Sequence, residues 1–172
     1  SDTSPAKIRY PQSNLAACML PWTEDFQLDV PKFEQHIKSA LDDGYTRLYL
    51  MGTAGEGYAL SEGRFQQVVE VFAAKTVRDG LDPQIGVIGL SMEEIIQRLA
   101  VAHTLGIRMF QISLPSWGAL DEAETMLFFK TICGEFPDSR FLHYNLPRAK
   151  RIIRGAEYHR IAEEVPTLVA TK

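Results

Sequence analysis

Two hydrophobic patterns alternate along this chain. Short, nearly continuous apolar runs occur at LAACML (15–20), RLYLMG (47–52), QIGVIG (84–89), MFQIS (109–113), RFLHYN (140–145) and LVATK (168–172). Runs this short and unbroken predict strands buried on both faces, as in a parallel sheet. Between them apolar residues recur at helical spacing: Phe33, Ile37, Ala40 and Leu41; Phe65, Val68, Val69 and Phe72; Ile95, Leu99 and Ala102; Leu127, Phe128 and Ile132; Tyr158, Ile161 and Val165. Start signals precede these stretches. Pro31 and Ser61 open two of them, Ser91 with Glu94 forms a capping box, and Asp121 with Glu124 plays a similar part. Gly44, Gly80, Gly106 and Gly134 fall where a left-handed residue would end a helix, and Pro166 stops the last one.

The predicted order is strand and helix in strict alternation, six strands in all, which defines an α/β protein with a parallel sheet. Two architectures fit: a doubly wound open sheet or a (β/α) barrel. The pattern alone does not separate them. Residues 1–14 read as an irregular leader, and 15–172 as one (β/α) domain.

Composition narrows the function classes. The formal net charge is −4, and no basic stripe of the kind that binds nucleic acid is visible. The densest basic patch, Arg148, Lys150, Arg151 and Arg154, reads either as a solvated loop or as a site for an anionic group. No apolar run approaches the length of a membrane span, and no signal sequence is apparent. Cys18 and Cys133 lie far apart in apolar surroundings, which predicts two buried, reduced thiols in a cytoplasmic protein. The four histidines show no ligand spacing, so no metal is expected, and no cofactor motif is found.

In either architecture, functional residues gather beyond the C-terminal ends of the strands. The second strand is followed by GTAGEG, with Thr53; the fourth by SLPSWG, with Ser116 and Trp117; the fifth by HYNLPR, with Tyr144. The sixth ends on Lys172. A hydroxyl, a phenol and an amine on one face suit Schiff-base chemistry. A lysine attacks a ketone in its uncharged form, which desolvation favours. A phenol can shuttle protons, and a hydroxyl can link it to a relay. Singly, a lysine at a strand end is commonly a solvated surface residue, and a buried tyrosine is commonly core. Their shared position gives the set its weight. The spacing of Gly52, Gly55 and Gly57 does not match the dinucleotide fingerprint, and no phosphate-loop lysine follows.

Three motifs carry a resemblance. MGTAGEGYALSEGR resembles the G-T-[TS]-G-E…L-S-x-x-E-R signature of the dihydrodipicolinate synthase / N-acetylneuraminate lyase family. HYNLP resembles that family's Y-N-x-P, and LVATK its strand bearing the Schiff-base lysine. The likeness runs from about Leu15 to Lys172. It implies a (β/α)8 TIM barrel, of which this chain holds about the first six strands, assembled as a dimer or tetramer. It implies that pyruvate, or another 2-keto acid, forms an imine with Lys172 and reacts with an aldehyde. Tyr144 would relay protons, with Thr53 linking that phenol onward. Thr53 and Ala54 would hold the keto acid's carboxylate through backbone N–H groups. Glu56 would brace the turn.

Three departures from the pattern bear on the second substrate. Ala54 replaces a second hydroxyl residue, Trp117 stands where a relay tyrosine is usual, and Arg148 lies one place before the usual arginine position, Ala149. Tryptophan donates a hydrogen bond but cannot shuttle a proton at neutral pH. Trp117 and Leu120 therefore point to the hydratase-aldolase branch, with Trp117 and Arg148 on the acceptor side. The same departures leave open a catalytically silent keto-acid binder, a sensor or scaffold. A closed barrel takes about 250 residues. The chain is accordingly read as part of a longer polypeptide, inactive as the 172-residue piece alone.

Overall fold

The computed structural model describes residues 9–172. It contains six strands, β1 (Ala16–Cys18), β2 (Leu48–Leu50), β3 (Gln84–Val87), β4 (Met109–Ile112), β5 (Arg140–His143) and β6 (Leu168–Thr171). Five helices connect them: α1 (Val30–Asp42), α2 (Glu62–Thr76), α3 (Met92–Thr104), α4 (Glu122–Glu135) and α5 (Gly155–Glu164). Every neighbouring pair of strands is parallel, and the sheet order is the chain order, β1 to β6. A doubly wound sheet must reverse its strand order at a switch point. Here each strand pairs with the one before it, so the winding is that of a barrel wall. Successive helices pack side by side, α1 on α2, α2 on α3, α3 on α4 and α4 on α5, as one outer layer.

The strands have two buried faces, as their unbroken hydrophobicity requires. Leu48, Leu50, Ile85, Val87, Phe110, Ile112 and Phe141 join Phe33, Ile37, Phe65, Phe72, Leu99, Phe128 and Phe129 in one core between sheet and helices. The other face is the barrel interior and is more polar. Gln111 donates to Gln84 at 3.3 Å, and Gln84 donates to the Tyr10 hydroxyl at 2.9 Å. Residues 11–15 take no regular structure; residues 1–8 of the expected leader lie outside the described residues.

The caps follow the predicted chemistry with two corrections. Asp29, Ser61, Ser91 and Asp121 each accept from a backbone N–H in the first turn of their helix. Asp121 and Glu124 form a reciprocal box, whereas the Glu94 carboxylate accepts from Leu90 N–H rather than closing a box on Ser91. Gly44, Gly80 and Gly106 have positive φ, but Gly134 lies inside α4. The helix runs one residue past Gly134, to Glu135, and Phe136 caps it instead. The strands are shorter than their apolar runs. The residues beyond each C-terminal end leave the ladder and build the loops described next.

Candidate active site

At the end of β2 the chain turns on Met51, a non-glycine residue with φ of 63°. Such a conformation costs about 1–2 kcal/mol for an L-residue and is held here by close packing. Added at Gly86, a Cβ would fall 2.3 Å from the Met51 carbonyl oxygen; added at Gly57, it would fall 2.6 Å from Met51 Cβ. The two glycines let β3 and the loop close around Met51. Glu56 N–H donates to Thr53 C=O, and the 3-10 turn Gly57–Ala59 follows.

The loop is clamped from below by Arg98 on α3, a residue the sequence reading did not single out. The residue is 1% exposed. It donates to Gly57 C=O and Leu60 C=O, each at 2.7 Å, and to Glu62 at 2.9 Å, and it lies over the Phe65 ring. Glu56, expected to brace this turn, is exposed and contributes through its backbone. The only advance signal of Arg98 is a cation on the apolar side of a helix, between Ile95 and Leu99.

This scaffold brings Thr53, Tyr144 and Lys172 together. Thr53 Oγ1 donates to the Tyr144 hydroxyl at 3.4 Å. Lys172 Nζ stands 4.4 Å from the centre of the Tyr144 ring and 4.8 Å from that of Tyr49. The backbone holds the ends of β5 and β6 in register: Lys172 N–H donates to His143 C=O at 2.9 Å, and Asn145 N–H to Lys172 C=O at 3.0 Å. Asn145 is fixed in turn by Ile153, whose N–H and C=O both bond its side chain. Lys172 itself is exposed. Among the described residues, the backbone N–H groups of Thr53 and Ala54 bond no backbone acceptor, as an anion nest requires.

A cavity of about 140 Å³ lies between these groups, lined by Cys18, Tyr49, Gly52, Thr53, Ala54, Tyr144 and Lys172 among others. That volume is about four to five waters, the scale of a three-carbon oxo acid. The Tyr49 hydroxyl is buried without a hydrogen-bond partner. Burial, and then the nearby Tyr144, push its pKa upward, so it stays a phenol. A second cavity, about 440 Å³, shares Thr53 and is lined mainly by Tyr58, Ile88, Leu90, Leu114, Leu146 and Ala149. Glu94, Ser113, Ser116 and the exposed Arg148 supply further polar groups. Trp117 lines neither cavity; it is 84% exposed on the loop after β4, beside Ser116.

Burial raises the Cys18 thiol to about 11 and the Cys133 thiol to about 12. Both stay protonated and free, so neither acts as a nucleophile near neutral pH. Among the described residues no group of three or more His, Cys, Asp or Glu side chains is placed to hold a metal. No helix of the described residues is long and apolar enough to cross a membrane.

A parallel barrel wall with an amine, a phenol and a hydroxyl beyond the C-terminal ends of β6, β5 and β2 is that of an α/β-barrel protein. The chain belongs to the dihydrodipicolinate synthetase family, whose pattern it matches over residues 11–172. It is 25% identical over 171 residues to N-acetylneuraminate lyase of Homo sapiens, covering 94% of this chain and 52% of that protein. Over 133 residues it is 28% identical to the 2-dehydro-3-deoxy-phosphogluconate/2-dehydro-3-deoxy-6-phosphogalactonate aldolase of Sulfurisphaera tokodaii, covering 76% and 44%. Among solved structures, a prophage protein of the dihydrodipicolinic acid synthase family from E. coli K12, in complex with pyruvate, superposes with a TM-score of 0.86. Its sequence identity is 19%, covering 92% of this chain and 53% of that one. The dihydrodipicolinate synthase of Aquifex aeolicus gives 0.85 at 23% identity, covering 94% and 54%. The chain therefore spans about half the length of the relatives it matches. The relatives named are a lyase, an aldolase and a synthase.

Proposed function

We propose that this chain carries the reactive centre of a Schiff-base aldolase or lyase acting on pyruvate or another 2-keto acid. One observation carries the reading: Lys172, Tyr144 and Thr53 converge on a small cavity that Ala54 also lines. The keto acid lies with its carboxylate on the Thr53 and Ala54 N–H groups. The uncharged form of the Lys172 amine attacks the ketone carbon; the carbinolamine hydroxyl takes up a proton and leaves as water, which gives a protonated imine. That cation accepts the electron pair when the adjacent carbon loses a proton, giving an enamine. The enamine adds to an aldehyde carbonyl and forms the carbon–carbon bond; the reverse sequence cleaves it. Water then hydrolyses the imine and frees the lysine. Tyr144 carries protons to and from the carbinolamine and the new alkoxide, and Thr53 orients its hydroxyl.

The aldehyde belongs in the larger cavity, which meets the smaller one at Thr53. Its lining combines an aliphatic set, Ile88, Leu90, Leu114, Leu146 and Ala149, with the polar Glu94, Ser113, Ser116 and Arg148. We assign it an apolar or aryl aldehyde, with Arg148 at the rim and Trp117 beyond it. Incubation with a panel of substituted 2-keto acids tests this directly. Pyruvate release should be fastest from aryl-substituted members; preference for sugar acids or for aspartate semialdehyde overturns the assignment. The silent keto-acid binder is favoured by one feature, a tryptophan that moves no proton beside the acceptor cavity. It predicts adduct formation without release.

A further inference from the structure

The reactive phenol and amine have neighbours that face the other way. Side chains alternate along a strand, so His143 and Thr171, one residue before Tyr144 and Lys172, point outward to the helices. His143 and Thr171 are partners in the β5–β6 register. Between them stands one side chain from α5. The Tyr158 hydroxyl donates to His143 Nδ1 at 2.5 Å and accepts from Thr171 Oγ1 at 2.9 Å. Thr171 Oγ1 also lies 3.2 Å from the His143 carbonyl. His143 is fully buried against the edge of Phe129, and its Nε2 has no partner.

A polar bridge in this position needs a reason. A buried histidine with one unsatisfied nitrogen is costly, and an aliphatic side chain in its place would not be. The β5–β6 ladder also carries a register irregularity between Phe141 and Leu142, just before the strand ends. The bridge acts beyond that irregularity. We propose that Tyr158 is a positioning residue: its hydroxyl ties the outward sides of β5 and β6 together and thereby fixes the spacing of Tyr144 and Lys172 on the inward side. It touches no substrate, and its catalytic effect rests on the Schiff-base function proposed above.

Tyr158→Phe keeps the ring and removes the bridge; Thr171→Val removes the same bridge from the strand side. Amide hydrogen exchange reads the positioning without any chemistry. In each variant the Lys172 and Asn145 amides should exchange about tenfold faster, with the β3 and β4 amides unchanged. Steady-state kinetics with the keto acid should show kcat down about tenfold and KM within about twofold. The double variant should lose no more than either single one. Wild-type exchange at Lys172 and Asn145 in Tyr158→Phe overturns the inference, as does an unchanged kcat. If the parent protein traps no keto acid with borohydride, the functional reading has failed instead, and the exchange measurement alone decides the bridge.

Discussion

The amine of Lys172 lies 4.4 Å from the centre of the Tyr144 ring, and the hydroxyl of that ring accepts from Thr53 at 3.4 Å. A phenol so placed has two separable parts: a face beneath the amine and an oxygen linked to a hydroxyl. Tyr144→Phe keeps the face and removes the oxygen. The variant should still form the pyruvate imine, while kcat falls by about 100-fold or more. Steady-state kinetics beside adduct trapping separate the two; an unchanged kcat would remove Tyr144 from the mechanism.

Arg98 holds the loop that carries Thr53. Arg98→Met keeps much of the volume but strips partners from two carbonyls and from Glu62. Glu62 is 54% exposed and regains water, but each carbonyl left without its donor costs about 1–3 kcal/mol. Urea unfolding should show the midpoint falling accordingly. A midpoint equal to the parent's would show that the clamp contributes nothing.

Gly86 is where β3 approaches the Met51 carbonyl. Gly86→Ala sets a methyl 2.3 Å from a backbone oxygen that no rotamer can move. Overpacking of this kind costs about 1–3 kcal/mol. Because the strain falls on the turn leading to Thr53, the affinity for the keto-acid carboxylate should weaken with stability. Calorimetric binding of pyruvate to the variant checks this.

His143 predicts a pH dependence of stability. Burial lowers its pKa from 6.5 to about 4, so the folded protein holds it neutral. Below 6.5 the unfolded chain takes up a proton that the folded one refuses. Stability from this group is therefore complete above pH 6.5, falls as pH drops, and is fully lost below about 4. The difference amounts to about 3 kcal/mol. The His143 imidazole resonances should titrate near 4 in NMR, and a midpoint near 6.5 would contradict its burial. Tyr158 is the titratable group it contacts, and that phenol stays protonated, its pKa raised mainly by burial.

What was legible in the sequence follows from how each signal arises. Strands buried on both faces are apolar throughout, so QIGV and MFQI announce themselves. Positions at the ends of those runs then locate Thr53, Tyr144 and Lys172 without reference to packing. Side chains that act across elements leave no such local mark. Arg98 reads as one more polar residue of α3, although it is buried beneath a loop 38 and 41 residues away in sequence. Tyr158 fits the apolar face of α5, and nothing local shows that its hydroxyl reaches two strands. Met51 looks like ordinary strand; the close approach of Gly57 and Gly86, 6 and 35 residues later, accompanies its positive φ. Gly134 looks like a stop, yet the core contacts of Ile132 and Cys133 carry α4 past it.

The most direct test of the account is reduction of the full-length protein with borohydride in the presence of pyruvate, followed by peptide mapping. One reduced pyruvate adduct on the Lys172 peptide, absent in Lys172→Ala, is the predicted result. No adduct, or an adduct on another lysine such as Lys150, would contradict it.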